Sequence, residues 1–190
     1  MNLLPGKLSQ YTLFLDRDGV INRRIPEGYV TCISEFEFLP GVPEAISFFS
    51  GVFHRIIVVS NQQGVGKGLM TAEDVGAVHA HLRKQIENAG GEIDGIYFCP
   101  ALKSDNDPYR KPETGMAEQA GKDFPDIDPL KCIMAGDSRS DLLFARNLNM
   151  VSVYIQTEPA RKQDCDGLYD LKFDSLNDFS NYLKEILKNQ

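Results

Sequence analysis

Asp16 and Asp18 lie two residues apart at the end of the apolar run Tyr11-Thr12-Leu13-Phe14-Leu15, and Gly19 follows them. In an extended segment residues two apart point the same way, so both carboxylates can address one reaction centre while Arg17 points elsewhere. One carboxylate could then attack phosphorus and the other move protons. A strand entering a turn also favours Asp and Gly, so the weight of the reading falls on what lies downstream. Ser60-Asn61-Gln62 offers a hydroxyl and amide donors that can hold phosphate oxygens. Arg110-Lys111-Pro112 offers a lysine to neutralise nucleophile and phosphoryl group, and an arginine to grip an oxyanion in a fork. Gly136-Asp137-Ser138-Arg139-Ser140-Asp141 adds two carboxylates four residues apart.

Each of these pieces follows an apolar run with the length of a buried strand. The runs fall at 13–16, 55–60, 95–99, 132–135 and 151–155, with a weaker one at 171–173. Helical patterns separate them. One begins after Gly41 with Pro43 in its first turn, and a second is capped by Thr71 with Asp74 three residues on. The second repeats Val75, Val78, Leu82, Ile86 and Ala89 as an apolar stripe. Further helices are expected near Met116, after Ser140, and through Leu176, Phe179, Leu183 and Ile186. Such alternation predicts an α/β fold, a mainly parallel sheet with helices on both faces. The irregular stretches are 22–35, 61–70, 100–112 and 157–166. Open sheets of this class bind ligands at the carboxyl edge of the strands, so the first three stretches should gather around Asp16.

With 190 residues, 42% of them hydrophobic, the chain can bury one core, and a single domain over 1–190 is expected. A net charge of -7 argues against nucleic acid or an anionic membrane as partner, so an anionic substrate must meet local cations or a metal. No stretch has the length of a signal peptide's apolar region or a membrane span, and the expected location is the cytoplasm. Cys32, Cys99, Cys132 and Cys165 are widely spaced, as free thiols in a reducing compartment would be. His79 and His81 fall in a helical segment, where residues two apart do not share a face, and are expected at the surface. Gly64-Val65-Gly66-Lys67-Gly68 fails the nucleotide-loop pattern at both ends and is expected to be a flexible cationic substrate loop.

The four pieces, in this order and each after its own strand, resemble the haloacid dehalogenase (HAD) superfamily, whose phosphatases carry D-x-D-G, a Ser/Thr, a Lys and G-D-x-x-x-D. The resemblance spans roughly residues 11–157 and implies a Rossmann-like fold. It implies Asp16 as nucleophile and Asp18 as general acid/base, with Ser60 and Lys111 holding the phosphoryl group. Asp137 would join the Asp16 side chain and the Asp18 backbone carbonyl in binding Mg²⁺, and Asp141 would orient Lys111 or a metal-bound water. Gly19, Asn22, Asn61, Gln62 and Arg110 are the candidate substrate contacts. An Asp two residues after the nucleophile fits the superfamily's phosphatases and mutases rather than its ATPases or dehalogenases.

The intervals from Asp16 to Ser60 and from Ser60 to Lys111 are spent on a helix, a strand or their loops, so no cap domain fits. Within the capless group the motifs, together with Gly28-Tyr29-Val30 and Phe36-Glu37-Phe38, resemble the heptose 1,7-bisphosphate phosphatases, with histidinol phosphate phosphatases as near relatives. Both families typically carry C-x-H and C-x-C zinc ligands before R-K-P. Here Cys99-Pro100-Ala101 and Asp107-Pro108-Tyr109 stand instead, and no structural zinc is expected. The expected partner is a small phosphate ester acted on by a monomer. Arg23, Arg24, Lys67, Lys103 and Arg110 would suit a substrate with a second anionic group. A catalytically silent phosphate-binding module on the same fold is the alternative.

Overall fold

The computed structural model describes residues 7–157 and 164–188. Six strands form one parallel sheet: β1 (Thr12–Leu15), β2 (Arg55–Asn61), β3 (Gly95–Cys99), β4 (Cys132–Gly136), β5 (Val151–Ile155) and β6 (Leu171–Phe173), in the order β3-β2-β1-β4-β5-β6. Five helices connect or follow them: α1 (Val42–Ser50), α2 (Ala72–Asn88), α3 (Gly115–Asp123), α4 (Arg139–Asn147) and α5 (Leu176–Lys188).

Side chains alternate through the sheet into two cores. Leu13, Leu15, Ile56, Val58, Ile133 and Ala135 pack with Ile46 and Phe49 of α1, Leu82 of α2 and Phe179 of α5. Phe14, Ile57, Val59 and Met134, one residue out of phase, pack with Met116 and Ala120 of α3 and Phe144 of α4. This is a parallel sheet covered by helices on both faces, as the alternating pattern predicts. Among the described residues no cap unit interrupts it.

The order of strands fixes where a ligand can enter. From β1 the chain builds outward through β2 and β3, then returns to β1's other side at β4 and builds away through β5 and β6. Neighbouring loops after β1 and β4 therefore diverge and open a crevice at the carboxyl edge. Asp16 follows β1 and Asp137 follows β4, so both lie at that opening.

Local differences from the sequence reading have physical causes. β1 ends at Leu15: the Asp16 N–H still donates to the Ala135 carbonyl at 3.0 Å, and the chain bends away from the ladder at Arg17. α4 begins at Arg139 rather than after Ser140: Ser138 caps it, and the Ser138 backbone N–H donates to Asp141 Oδ2 at 3.0 Å. Ala89 caps the end of α2 and is exposed, so the buried stripe stops at Ile86. Part of the expected irregular stretch 157–166 lies outside the described residues.

Candidate active site

Asp16 lies at the floor of a cavity of about 200 Å³ whose wall includes Asp18, Arg24, Tyr29, Ser60, Asn61, Gln63, Arg110 and Lys111. Lys111, which the chain delivers from the loop between β3 and α3, is almost fully buried, and its Nζ donates to Asp16 Oδ1 at 2.7 Å and to the Val59 carbonyl at 2.7 Å. Asp141, on the first turn of α4, forms an ion pair with the same Nζ at 2.6 Å. Its other oxygen is taken by the cap of α4, so Asp141 aims Lys111 from a fixed base. Burial would strip charge from Lys111, but Asp141 and Asp16 raise its pKa and keep it cationic. Burial also pushes Asp16 up to about 6, against the pull of Lys111.

Asp18 sits in a different field. Its Oδ1 accepts from Arg17 Nη2 and Asn22 Nδ2, each at 2.9 Å, and its Oδ2 from Arg17 Nη2 at 2.9 Å and Gln62 Nε2 at 2.7 Å. Burial opposes its ionisation, but the Arg17 guanidinium and the two amides outweigh it and hold the pKa below the ordinary value. Arg17 points away from the cavity, as expected, but its guanidinium also pairs with the Asp18 carboxylate. It lies beyond the strand, where the chain bends and lets it fold back onto its neighbour.

The remaining candidates divide by what they touch. Ser60 is buried and accepts from Gln62 Nε2 at 2.8 Å, with its hydroxyl at the cavity wall. Asn61 reaches the wall, yet its amide is spent on the Lys111 backbone, donating to its carbonyl and accepting from its N–H, each at 3.0 Å. Gln62 and Asn22 are buried behind the wall and brace Asp18; Gln63 faces the cavity where Gln62 was expected. Gly19 has φ +92°, and a Cβ there would come within 2.3 Å of Asp137 Oδ2. Only glycine lets that backbone pass so close to the carboxylate. Arg110 holds the Ala101 carbonyl through Nη1 at 2.9 Å and lies between the cavity and an adjoining groove of about 540 Å³ that carries Lys103 and Arg139.

Arg24, expected among the cations for a second anionic group, is instead spent inside the site. Its Nη2 donates to the Asp18 carbonyl at 2.6 Å and to both Asp137 carboxylate oxygens at 2.8 and 2.9 Å. Burial works against its charge, but Asp137, then Asp16, raise its pKa. These are the oxygens assigned to Mg²⁺ on the resemblance, so the donor set already holds a cation. Asp16, Asp137 and Asp141 also each offer an oxygen within 4.8 Å of the others, all three residues buried. An all-oxygen, anionic set of this kind suits Mg²⁺. Of the other expected cations, Arg23 pairs with Glu37 at the surface, and Lys67 lies over the Tyr29 ring at 5.3 Å.

His79 corrects another expectation. It is buried on the inner stripe of α2, not at the surface, and its Nε2 lies 3.2 Å from Arg17 Nη1. The spacing Val75, His79, Leu82, Ile86 places it among buried residues and was the available signal. In the 64–68 loop, Gly66 donates to the Pro100 carbonyl, and a Cβ there would meet that oxygen at 2.7 Å. Before Arg110, Asp107 Oδ1 accepts from the Tyr109 N–H at 2.7 Å and lies 3.7 Å from the Cys99 thiol.

Comparison with known proteins agrees with this geometry. Residues 108–179 match the HAD-hydrolase-like family model. A D-glycero-alpha-D-manno-heptose-1,7-bisphosphate 7-phosphatase of Mycobacterium bovis is 41% identical over 171 residues, covering 90% of each chain. The chain belongs to the HAD-like phosphatases. Another member, a D-glycero-beta-D-manno-heptose-1,7-bisphosphate 7-phosphatase of Haemophilus ducreyi, is 32% identical across 93% of this chain and all of its own. Among solved HAD structures, D,D-heptose 1,7-bisphosphate phosphatase from B. bronchiseptica, complexed with magnesium and phosphate, superposes with a TM-score of 0.81 at 26% identity, covering 92% of this chain and 98% of its own. The protein is accordingly a phosphoric monoester hydrolase of this family.

Proposed function

We propose that this phosphatase removes the 7-phosphate of a D-glycero-D-manno-heptose 1,7-bisphosphate through an aspartyl phosphate on Asp16. The observation that carries the mechanism is the Asp16 carboxylate at the cavity floor with the buried Lys111 ammonium 2.7 Å away. A carboxylate repels a phosphate dianion, and Lys111 offsets part of that repulsion for both groups. Asp16, Asp137 and the Asp18 carbonyl would hold Mg²⁺, which supplies further positive charge at the transferring phosphoryl group. Arg24 must leave those oxygens for that to happen.

Asp16 attacks phosphorus as the ester P–O bond breaks, and Asp18 delivers a proton to the leaving oxygen. Held as it is, Asp18 is an ionised carboxylate whose oxygens are filled by donors, so delivery requires it first to turn out of the Arg17 fork and take up a proton from solvent. Deprotonated again, Asp18 takes a proton from water, which attacks the aspartyl phosphate and frees Asp16. Ser60 lies at the wall to receive phosphoryl oxygens.

The relatives support the bisphosphate, and the α anomer above the β, since the α-specific relative shares 41% identity and the β-specific one 32%. The groove beside the cavity supports it too: Lys103, Arg110 and Arg139 outnumber Asp107 and Glu113 in its lining and suit a second phosphate. The free thiols of Cys32, Cys99, Cys132 and Cys165 support the cytoplasm, and no helix among the described residues is long and apolar enough to cross a membrane. A zinc-free loop before Arg110 is supported by Asp107 standing against Cys99, a pair too small for a zinc site.

The test is a side-by-side hydrolysis panel of both heptose 1,7-bisphosphate anomers, histidinol phosphate and simple sugar phosphates. The α-bisphosphate should give the highest kcat/KM. A preference for histidinol phosphate would overturn the substrate, and no turnover of any ester would favour a silent binding module.

A further inference from the structure

Arg17 is fully buried, a costly position for a guanidinium unless its N–H groups are matched by acceptors. Asp18 takes Nη2 and, at 3.3 Å, Nε. On the opposite side of the guanidinium, Nη1 faces His79 Nε2 at 3.2 Å. An arginine nitrogen can only donate, so His79 must present a lone pair at Nε2 and carry its proton on Nδ1. The imidazole is held by the inner face of α2 and meets the Phe98 ring edge-on at 5.7 Å. Helix packing thereby fixes one end of a chain of contacts that runs from α2 through Arg17 to the Asp18 carboxylate.

We propose that His79 is a positioning residue for the reaction: as a neutral acceptor it sets the orientation of Arg17, and through Arg17 that of Asp18. The inference rests on the role proposed for Asp18. Burial, reinforced by the charge of Arg17, lowers the His79 pKa to about 3, which keeps the lone pair available at working pH. Without this acceptor the buried Nη1 would lose its match, and the guanidinium would rotate toward another. Asn22 and Gln62 would still contact Asp18, so the effect is misalignment rather than loss of the acid/base group.

The experiment compares three variants with the wild type on whichever phosphate ester it turns over. His79→Leu removes the acceptor and should lower kcat by about ten- to a hundredfold, as misplacement of a reacting group does, with KM within about twofold. His79→Gln restores an acceptor oxygen and should recover most of that loss. Leu82→Ala loosens the same helix face without touching Arg17, and should lower Tm while leaving kcat near wild type. Unchanged kcat in His79→Leu, equal loss in His79→Gln, or an equal kcat loss in Leu82→Ala would overturn the proposal. Long-range ¹H–¹⁵N spectra of the wild type read the contact without activity. The His79 ring should remain the neutral Nδ1–H tautomer from pH 8 to pH 5, and an Nε2-protonated ring would refute it. Failure of the wild type to hydrolyse any ester would sink the phosphatase reading, whereas the tautomer would still decide the contact.

Discussion

Replacing Lys111 by Met keeps most of the side-chain volume and removes the one ammonium shared by Asp16 and Asp141. Those carboxylates are 6% and 1% exposed, so water cannot replace it. Breaking a buried pair costs about 3–5 kcal/mol, and because a single Nζ serves both partners the two losses do not simply add. For a chain of this length about 2–4 °C of Tm is lost per kcal/mol, which gives a fall of about 6–20 °C. The pH dependence has a definite sign. Burial raises Asp16 from its ordinary 3.8 to about 6, so the folded wild type binds that proton more tightly than the unfolded chain does. Its stability contribution falls as pH rises through that window and then levels off. Without Lys111 the Asp16 pKa rises further, so the variant keeps losing stability above pH 6, and its deficit should grow from pH 5.5 to pH 8. Thermal unfolding at the two pH values measures this. A fall below about 3 °C at pH 8, or a larger gap at pH 5.5, would refute the placement of Lys111 as the shared counter-ion.

Other expectations follow from the same geometry. Asp18→Asn should lower kcat about 10²–10⁴-fold with the fold intact by circular dichroism. Removing Arg24 as Arg24→Ala should tighten Mg²⁺ binding in calorimetric titration, since its guanidinium holds the Asp18 carbonyl and Asp137; unchanged affinity would mean the two cations do not compete. Arg110→Ala should act mainly on KM for the bisphosphate, and an effect confined to kcat would count against a substrate-binding role. Chelation should abolish activity until Mg²⁺ is restored, and metal analysis should find no stoichiometric zinc; one tightly bound zinc per chain would show the Cys99 loop misread.

The strands, the sheet class and the gathering of Asp16, Ser60, Lys111 and Asp137 at one edge were legible because short apolar runs and their carboxyl ends are local features. The interior of the site was less so. Arg24 and Asp137 are far apart in the chain, and no spacing rule joins a loop arginine to a carboxylate beyond another strand. Arg17 lies off the cavity as alternation implies, but its pairing with Asp18 was hidden, because the chain bends after the strand and lets the guanidinium reach its neighbour. His79 was visible as part of a helical stripe, yet its polar type suggested a surface place; only the buried guanidinium beside it explains why a histidine belongs there. Asn22, Asn61 and Gln62 were expected as substrate contacts, whereas in this structure their amides brace Asp18 and Lys111, an arrangement that depends on contacts between distant loops.

The central claim is that phosphoryl transfer passes through Asp16. Rapid acid quench of turnover on ³²P-labelled substrate, followed by borohydride reduction and peptide mapping, tests it directly. Label, and the reduced residue, should appear transiently in the peptide containing Asp16, and Asp16→Asn should bind phosphate analogues yet neither label nor turn over. Normal turnover by Asp16→Asn, or label on another residue, would contradict the account.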